Sequence, residues 1–184
     1  MGRAGWRTVN GAVAALSLAL ALIFPLSACG ADHDSAVKAA FFFKLAPFAA
    51  WPASAFPGPA APFVICVQGA DPFRELLDDA VVGQQIGGRP IVVSRLGRID
   101  GESGCQLAYL GGSDGQSRAA ALDALRGAHV LTVTDEANGP GPRGMVHFVL
   151  REGRIRFEVD LRQAEAAGVT LSSKLLALAV SVAR

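Results

Sequence analysis

Apolar positions along this chain fall into short blocks whose spacing switches between the helical and the extended period. The spacing of Phe41, Leu45 and Phe48 predicts a helix from Ala36 to about Ala46, with Asp34 or Ser35 as its cap. Three consecutive Phe make this helix apolar on nearly every side, so it is expected to be buried or to lie at a partner contact. Pro47 is expected to end or kink it, and Pro52 to Pro62 reads as a Pro/Ala loop. Phe63 to Val67 is an apolar run of the kind that a strand covered on both faces shows. Asp71-Pro72 is expected to start a helix reaching about Ala80. Further strands are predicted at Pro90 to Leu96, Cys105 to Leu110 and His129 to Thr134, with a helix between Asp114 and Arg126 that Gly127 stops.

Near the C-terminus the rhythm changes. Met145 to Leu150 and Arg154 to Val159 read as two strands of a hairpin around Arg151-Glu152-Gly153. In the second, Ile155, Phe157 and Val159 share one side while Arg154, Arg156, Glu158 and Asp160 share the other, so one face is exposed. Two closing helices follow: Leu161 to Ala167, stopped by Gly168, and Ser173 to about Val182, capped by Ser172. The expected fold is α/β: a largely parallel sheet with crossover helices, a C-terminal β-hairpin and closing helices. No internal repeat is visible.

Composition narrows the function classes. The 184 residues are 51% hydrophobic and 18% charged with a formal net charge of +1, which excludes a disordered chain and offers no basic footprint for nucleic acid. Part of the apolar excess sits at the start, where Arg3 and Arg7 precede an uncharged stretch with an apolar segment from Ala12 to Leu26. That is the build of an export signal, and the segment is too short for a comfortable membrane span. Leu26-Ser27-Ala28-Cys29 follows and resembles the lipobox of bacterial lipoproteins, which implies cleavage before Cys29 and lipidation of its thiol. The alternatives are a retained anchor, or ordinary cleavage just beyond the motif. The expected organisation is a signal peptide over 1–28, a short tether over 29–35 and one domain over 36–184. With Cys29 lipidated, Cys66 and Cys105 remain in an oxidising compartment and are expected to form one disulfide, two buried free thiols being the alternative.

Candidate chemistry is sparse. Gly111-Gly112-Ser113-Asp114-Gly115 matches the nucleophile-elbow pattern, and Asp123 or Asp135 followed by His147 would complete a hydrolase order. Gly, Ser and Asp are also what a turn and a helix cap use, and no oxyanion segment accompanies them. Gly139-Pro140-Gly141-Pro142-Arg143-Gly144 has the glycines of a phosphate loop, but two Pro remove the amide donors. His33, His129 and His147 lack metal-ligand spacing. The residues therefore favour a binding or regulatory domain, with no catalytic residue, metal or cofactor expected.

A resemblance gives this direction. Val37-Lys38-Ala39-Ala40-Phe41 with Trp51-Pro52, Phe63 to Val67 and Cys105 to Leu110 resemble, in order and spacing, the YfiR family of exported bacterial regulators. Gly144 to Leu150, Arg154 to Leu161 and Gly168 to Leu176 strengthen it. The resemblance implies a periplasmic repressor that binds the periplasmic sensor domain of an inner-membrane diguanylate cyclase, lowers cyclic di-GMP and biofilm formation, and forms a homodimer. It also implies a disulfide at Cys66 and Cys105. A second cysteine pair that some members carry before Met145 is missing here, and Gly30 after Cys29 points to the outer rather than the inner membrane. The segments expected to meet a partner are the first helix, through Phe41 and Phe42, and the hairpin face with Arg154, Arg156 and Glu158. A periplasmic small-ligand-binding domain, using a crevice at the strand ends, is the second expectation, and a serine hydrolase a distant third.

Overall fold

The computed structural model describes Gly2 and residues 28–184; expectations that fall on residues 1–27, including most of the export signal, lie outside the described residues. In chain order the elements are α1 (Ala28–Lys44), β1 (Ala49–Ala50), β2 (Phe63–Gly69), α2 (Glu75–Val81), β3 (Gln85–Ile86), β4 (Arg89–Leu96) and β5 (Leu107–Gly112). There follow α3 (Arg118–Ala124), β6 (Leu131–Asp135), β7 (Val146–Arg151), β8 (Arg154–Asp160), α4 (Leu161–Ala166), β9 (Thr170–Leu171), α5 (Ser173–Leu178) and β10 (Ser181–Ala183). Among the described residues eight strands form one sheet in the order β10-β8-β7-β6-β5-β2-β4-β3. Its five central strands are mutually parallel. The expected α/β architecture is therefore the observed one.

Alternation along the strands sorts the core into two layers. Phe63, Ile65 and Val67 of β2 join Leu107 and Tyr109 of β5 under α1 and α2. Cys66, Ala108 and Leu110 point to the opposite face and meet Ala121 of α3 and Leu125, which caps it. In the larger layer Phe42 stacks on Phe73 at 5.1 Å between ring centres, and Tyr109 meets Phe73 edge-on at 4.8 Å. These rings lock the first helix onto the sheet.

Several boundaries differ from expectation. α1 starts at Ala28 and runs unbroken through the segment read as a tether, so Asp34 and Ser35 lie inside it rather than at its cap. α2 begins only at Glu75, because the Asp71 carboxylate instead accepts the Phe73 and Arg74 amides (2.7 and 3.1 Å) and Arg74 takes a φ of 48°. The last helix ends at Leu178 instead of near Val182. Val180 N–H bonds the Phe157 carbonyl at 2.9 Å, and Ser181 to Ala183 pair in parallel with Glu158 to Asp160. Pairing the open edge of β8 outweighs the weak helical preference of a Val-rich tail.

Candidate partner-binding surface

The hairpin carries a cluster of exposed charges. Glu152 and Gly153 both take positive φ (52° and 70°), giving the two-residue turn that brings Arg151 opposite Arg154. This register also sets Val149 opposite Arg156 and His147 opposite Glu158 on one face. Ile155, Phe157 and Val159 fill the other face and are buried. Glu158 receives Arg143 at 2.5 Å and Arg151 at 3.4 Å, while Arg151 also pairs with Glu136 at 3.1 Å. The Leu150 amide, against the opposing effect of burial and with help from Arg151, holds the Glu136 carboxyl below its ordinary range. Arg154 and Arg156 are exposed, and neither has a carboxylate partner among the described residues. The face thus presents two free guanidinium groups beside a neutralised network. The sequence singles out Arg154, Arg156 and Glu158; it does not show that Arg143 from a loop, Arg151 from the end of β7 and Glu136 from just after β6 converge there.

The Phe run splits across α1. Phe41 is 38% exposed, whereas Phe42 is fully buried against Phe73 and Tyr109. Phe42 is therefore corrected from contact residue to core residue: successive helical positions turn through about 100°, so neighbours cannot share one face. Cys66 and Cys105 form a disulfide across a sequence separation of 39, with Cα atoms 5.9 Å apart.

The crevice at the strand ends is closed by the protein itself. β2 leads outward to β4 and β5 leads the other way to β6, which makes their C-terminal ends the switch point where α/β ligands usually sit. There Ala70 N–H donates to the Gly112 carbonyl at 3.0 Å. The buried Gln68 amide donates to the Gln116 carbonyl at 3.0 Å, and its oxygen accepts from Gly112 N–H at 3.3 Å. A side chain on Gly69 or Gly111 would come within about 2.2 Å of a backbone oxygen. Two chain segments and a glutamine fill the space a ligand would need.

The residues of the hydrolase pattern are engaged elsewhere. The Ser113 hydroxyl accepts from Gln116 N–H at 3.2 Å within a turn. Asp123 pairs with Arg126, and Asp135 pairs with Lys38 at 2.6 Å. His147 Nδ1 lies 2.8 Å from Thr134 Oγ1, which in turn accepts from Gly144 N–H at 2.9 Å. The hydroxyl proton is thus free for Nδ1, an arrangement that suits a neutral imidazole. Burial, then the Arg143 charge, holds the His147 pKa below its usual value of 6.5. Tyr109 is shifted upward by burial and then by the charge of Asp135. Asp78 and Asp79 do not act as a pair: Asp79 is exposed, while Asp78 takes Arg95 at 2.6 Å, a bond that lowers its pKa. Among the described residues no group of three or more His, Cys, Asp and Glu is placed to hold a metal ion, and no helix is long and apolar enough to cross a membrane.

These features describe an α/β domain with a filled strand-end crevice and a charged hairpin face. Residues 35–180 match the YfiR/HmsC-like family, and the chain belongs to that family. No curated protein matches it.

Proposed function

We propose that this protein is a periplasmic regulatory binding protein that represses an inner-membrane diguanylate cyclase and so lowers cyclic di-GMP and biofilm formation. Membership of the YfiR/HmsC-like family over residues 35–180 is the observation that carries this reading. The geometry is compatible with it: Ser113, His147 and the candidate acids are each tied into separate structural bonds. In this reading no reaction is catalysed, and output is controlled by occupancy of the cyclase's periplasmic sensor domain.

The contact we propose is the hairpin face. Arg154 and Arg156 carry charge that nothing within the described residues neutralises, which suits acidic side chains on the sensor domain. Phe41 is a second, apolar contact. The homodimer, the division into a signal over 1–28 and a domain over 36–184, and lipidation at Cys29 belong to the same proposal, with anchoring to the outer membrane favoured by Gly30. The test is deletion of the gene in cells that hold the partner cyclase. Cyclic di-GMP is expected to rise, and to fall again on complementation; an unchanged level would remove the proposal.

A further inference from the structure

A cleft of about 340 Å³ lies between α1, β8 and α5, on the side of the sheet opposite the charged hairpin face. Its base is formed by Leu45, Phe157 and Leu175, all buried. Ala40 leaves the middle open, while Phe41 and Leu178, 38% and 63% exposed, form its rims on α1 and α5. Among the described residues, Lys44 is the one lining residue whose side chain carries a hydrogen-bonding or charged group. Its ammonium is exposed and has no carboxylate within ion-pair distance among the described residues.

This lining discriminates sharply between ligand classes. A nucleotide, sugar or peptide would leave water with many polar groups and find one partner for them, which is unfavourable. An unbranched alkyl chain loses nothing by entering and gains burial for each methylene. The lone cation at one end selects a single anionic head group. Along α1 the stripe from Val37 to Lys44 extends about 10 Å at ~1.5 Å per residue, the reach of a medium-length alkyl chain.

We propose that this cleft binds a free aliphatic carboxylate, with the alkyl chain over Phe157 and Leu175 and the carboxylate on Lys44. The site goes beyond the regulatory reading above and does not depend on the hairpin contact.

The experiment titrates the full chain by calorimetry with hexanoate, octanoate, decanoate and dodecanoate, each kept monomeric, and with decanol as the uncharged control. One molecule is expected to bind per chain, with affinity rising roughly four-fold per added methylene and levelling off once the cleft is filled. Lys44→Gln is expected to weaken decanoate roughly ten-fold while leaving decanol unchanged. Ala40→Trp is expected to abolish both by filling the cleft. Leu178→Gln, at an exposed rim, gives the same direction of change should the Trp variant fail to fold. Several molecules bound per chain, no dependence on Lys44, or no binding at all would overturn the assignment. Flotation with phospholipid vesicles without binding of monomeric decanoate would give the cleft to a membrane surface. A monomer produced by Leu178→Gln without decanoate binding would give it to a second copy of the chain. Either result also rejects the proposal.

Discussion

Lys38 of α1 reaches Asp135 at the end of β6, and the two form an ion pair of 2.6 Å with side chains only 13% and 3% exposed. The pair fastens the first helix to the middle of the sheet. Removing one partner strands the other as a buried charge, whereas removing both does not. Lys38→Met is expected to cost about 3 kcal/mol in urea unfolding, and Lys38→Met with Asp135→Asn to recover much of that loss. Equal losses in the single and double variants would show that the pair has no such role.

The disulfide makes a separate contribution. Cys66 and Cys105 close a loop spanning a separation of 39, for which chain entropy gives about 4 kcal/mol. Replacing both with Ser is expected to lower the unfolding midpoint strongly, and dithiothreitol to do the same to the native chain but not to the double variant. A variant as stable as the native protein would contradict this.

Acid should weaken the fold through His147. Its folded pKa lies below the ordinary 6.5, so the unfolded chain binds the proton more readily. The stabilisation is complete above about 6.5 and is lost as pH falls through that value towards the folded pKa. Glu158 faces the ring from β8, Arg143 from the preceding loop, Asp135 from β6 and Arg118 from α3. His147→Asn is expected to flatten the fall in stability between pH 7 and pH 5; an unaltered slope would place the acid sensitivity elsewhere.

Gly111 tests the filled crevice. A Cβ there would meet the Ala70 carbonyl oxygen at 2.1 Å, a backbone atom that cannot rotate away. Gly111→Ala is expected to cost roughly 1–3 kcal/mol or more, seen as a drop in melting temperature. Gly83→Ala is the comparison, since its φ of 69° strains a side chain but nothing stands within 4 Å.

Arg154 and Arg156 separate folding from recognition. Both are exposed without carboxylate partners among the described residues, so Arg154→Glu with Arg156→Glu is expected to shift stability by only about 0.5 kcal/mol per site. Binding to the sensor domain, measured by pull-down, is expected to fall well below the native level. Unchanged binding would move the contact off the hairpin.

The parallel centre of the sheet was legible because strands covered on both faces are apolar runs, as Phe63 to Val67 and Leu107 to Leu110 are. The hairpin was legible because Ile155, Phe157 and Val159 alternate with charges. Strands of two or three residues have too few positions to show a period, which is why β1, β3, β9 and β10 went unread. Their existence depends on edges supplied by distant segments. The site was legible only in part for the same reason. Arg154 and Arg156 declare themselves on a strand, but the meeting of Arg143, Arg151 and Glu136 around that face depends on tertiary folding. So does the cleft, whose Phe41 and Leu178 lie far apart in sequence. The three adjacent Phe could not reveal which of them faces inward, since that is decided by Phe73 and Tyr109.

Ala49 pairs with Leu171 and Ala50 with Thr170, and the Ser172 amide donates to the Phe48 carbonyl at 2.8 Å. This two-residue ladder joins the segment just after the first helix to the segment just before the last. The two segments are consequently clasped to each other, and a chain cut before Thr170 has neither the clasp nor the outer strand on β8. In the order of synthesis the β1 half of the clasp is made long before its partner, so the ladder closes only once residues 170–172 exist.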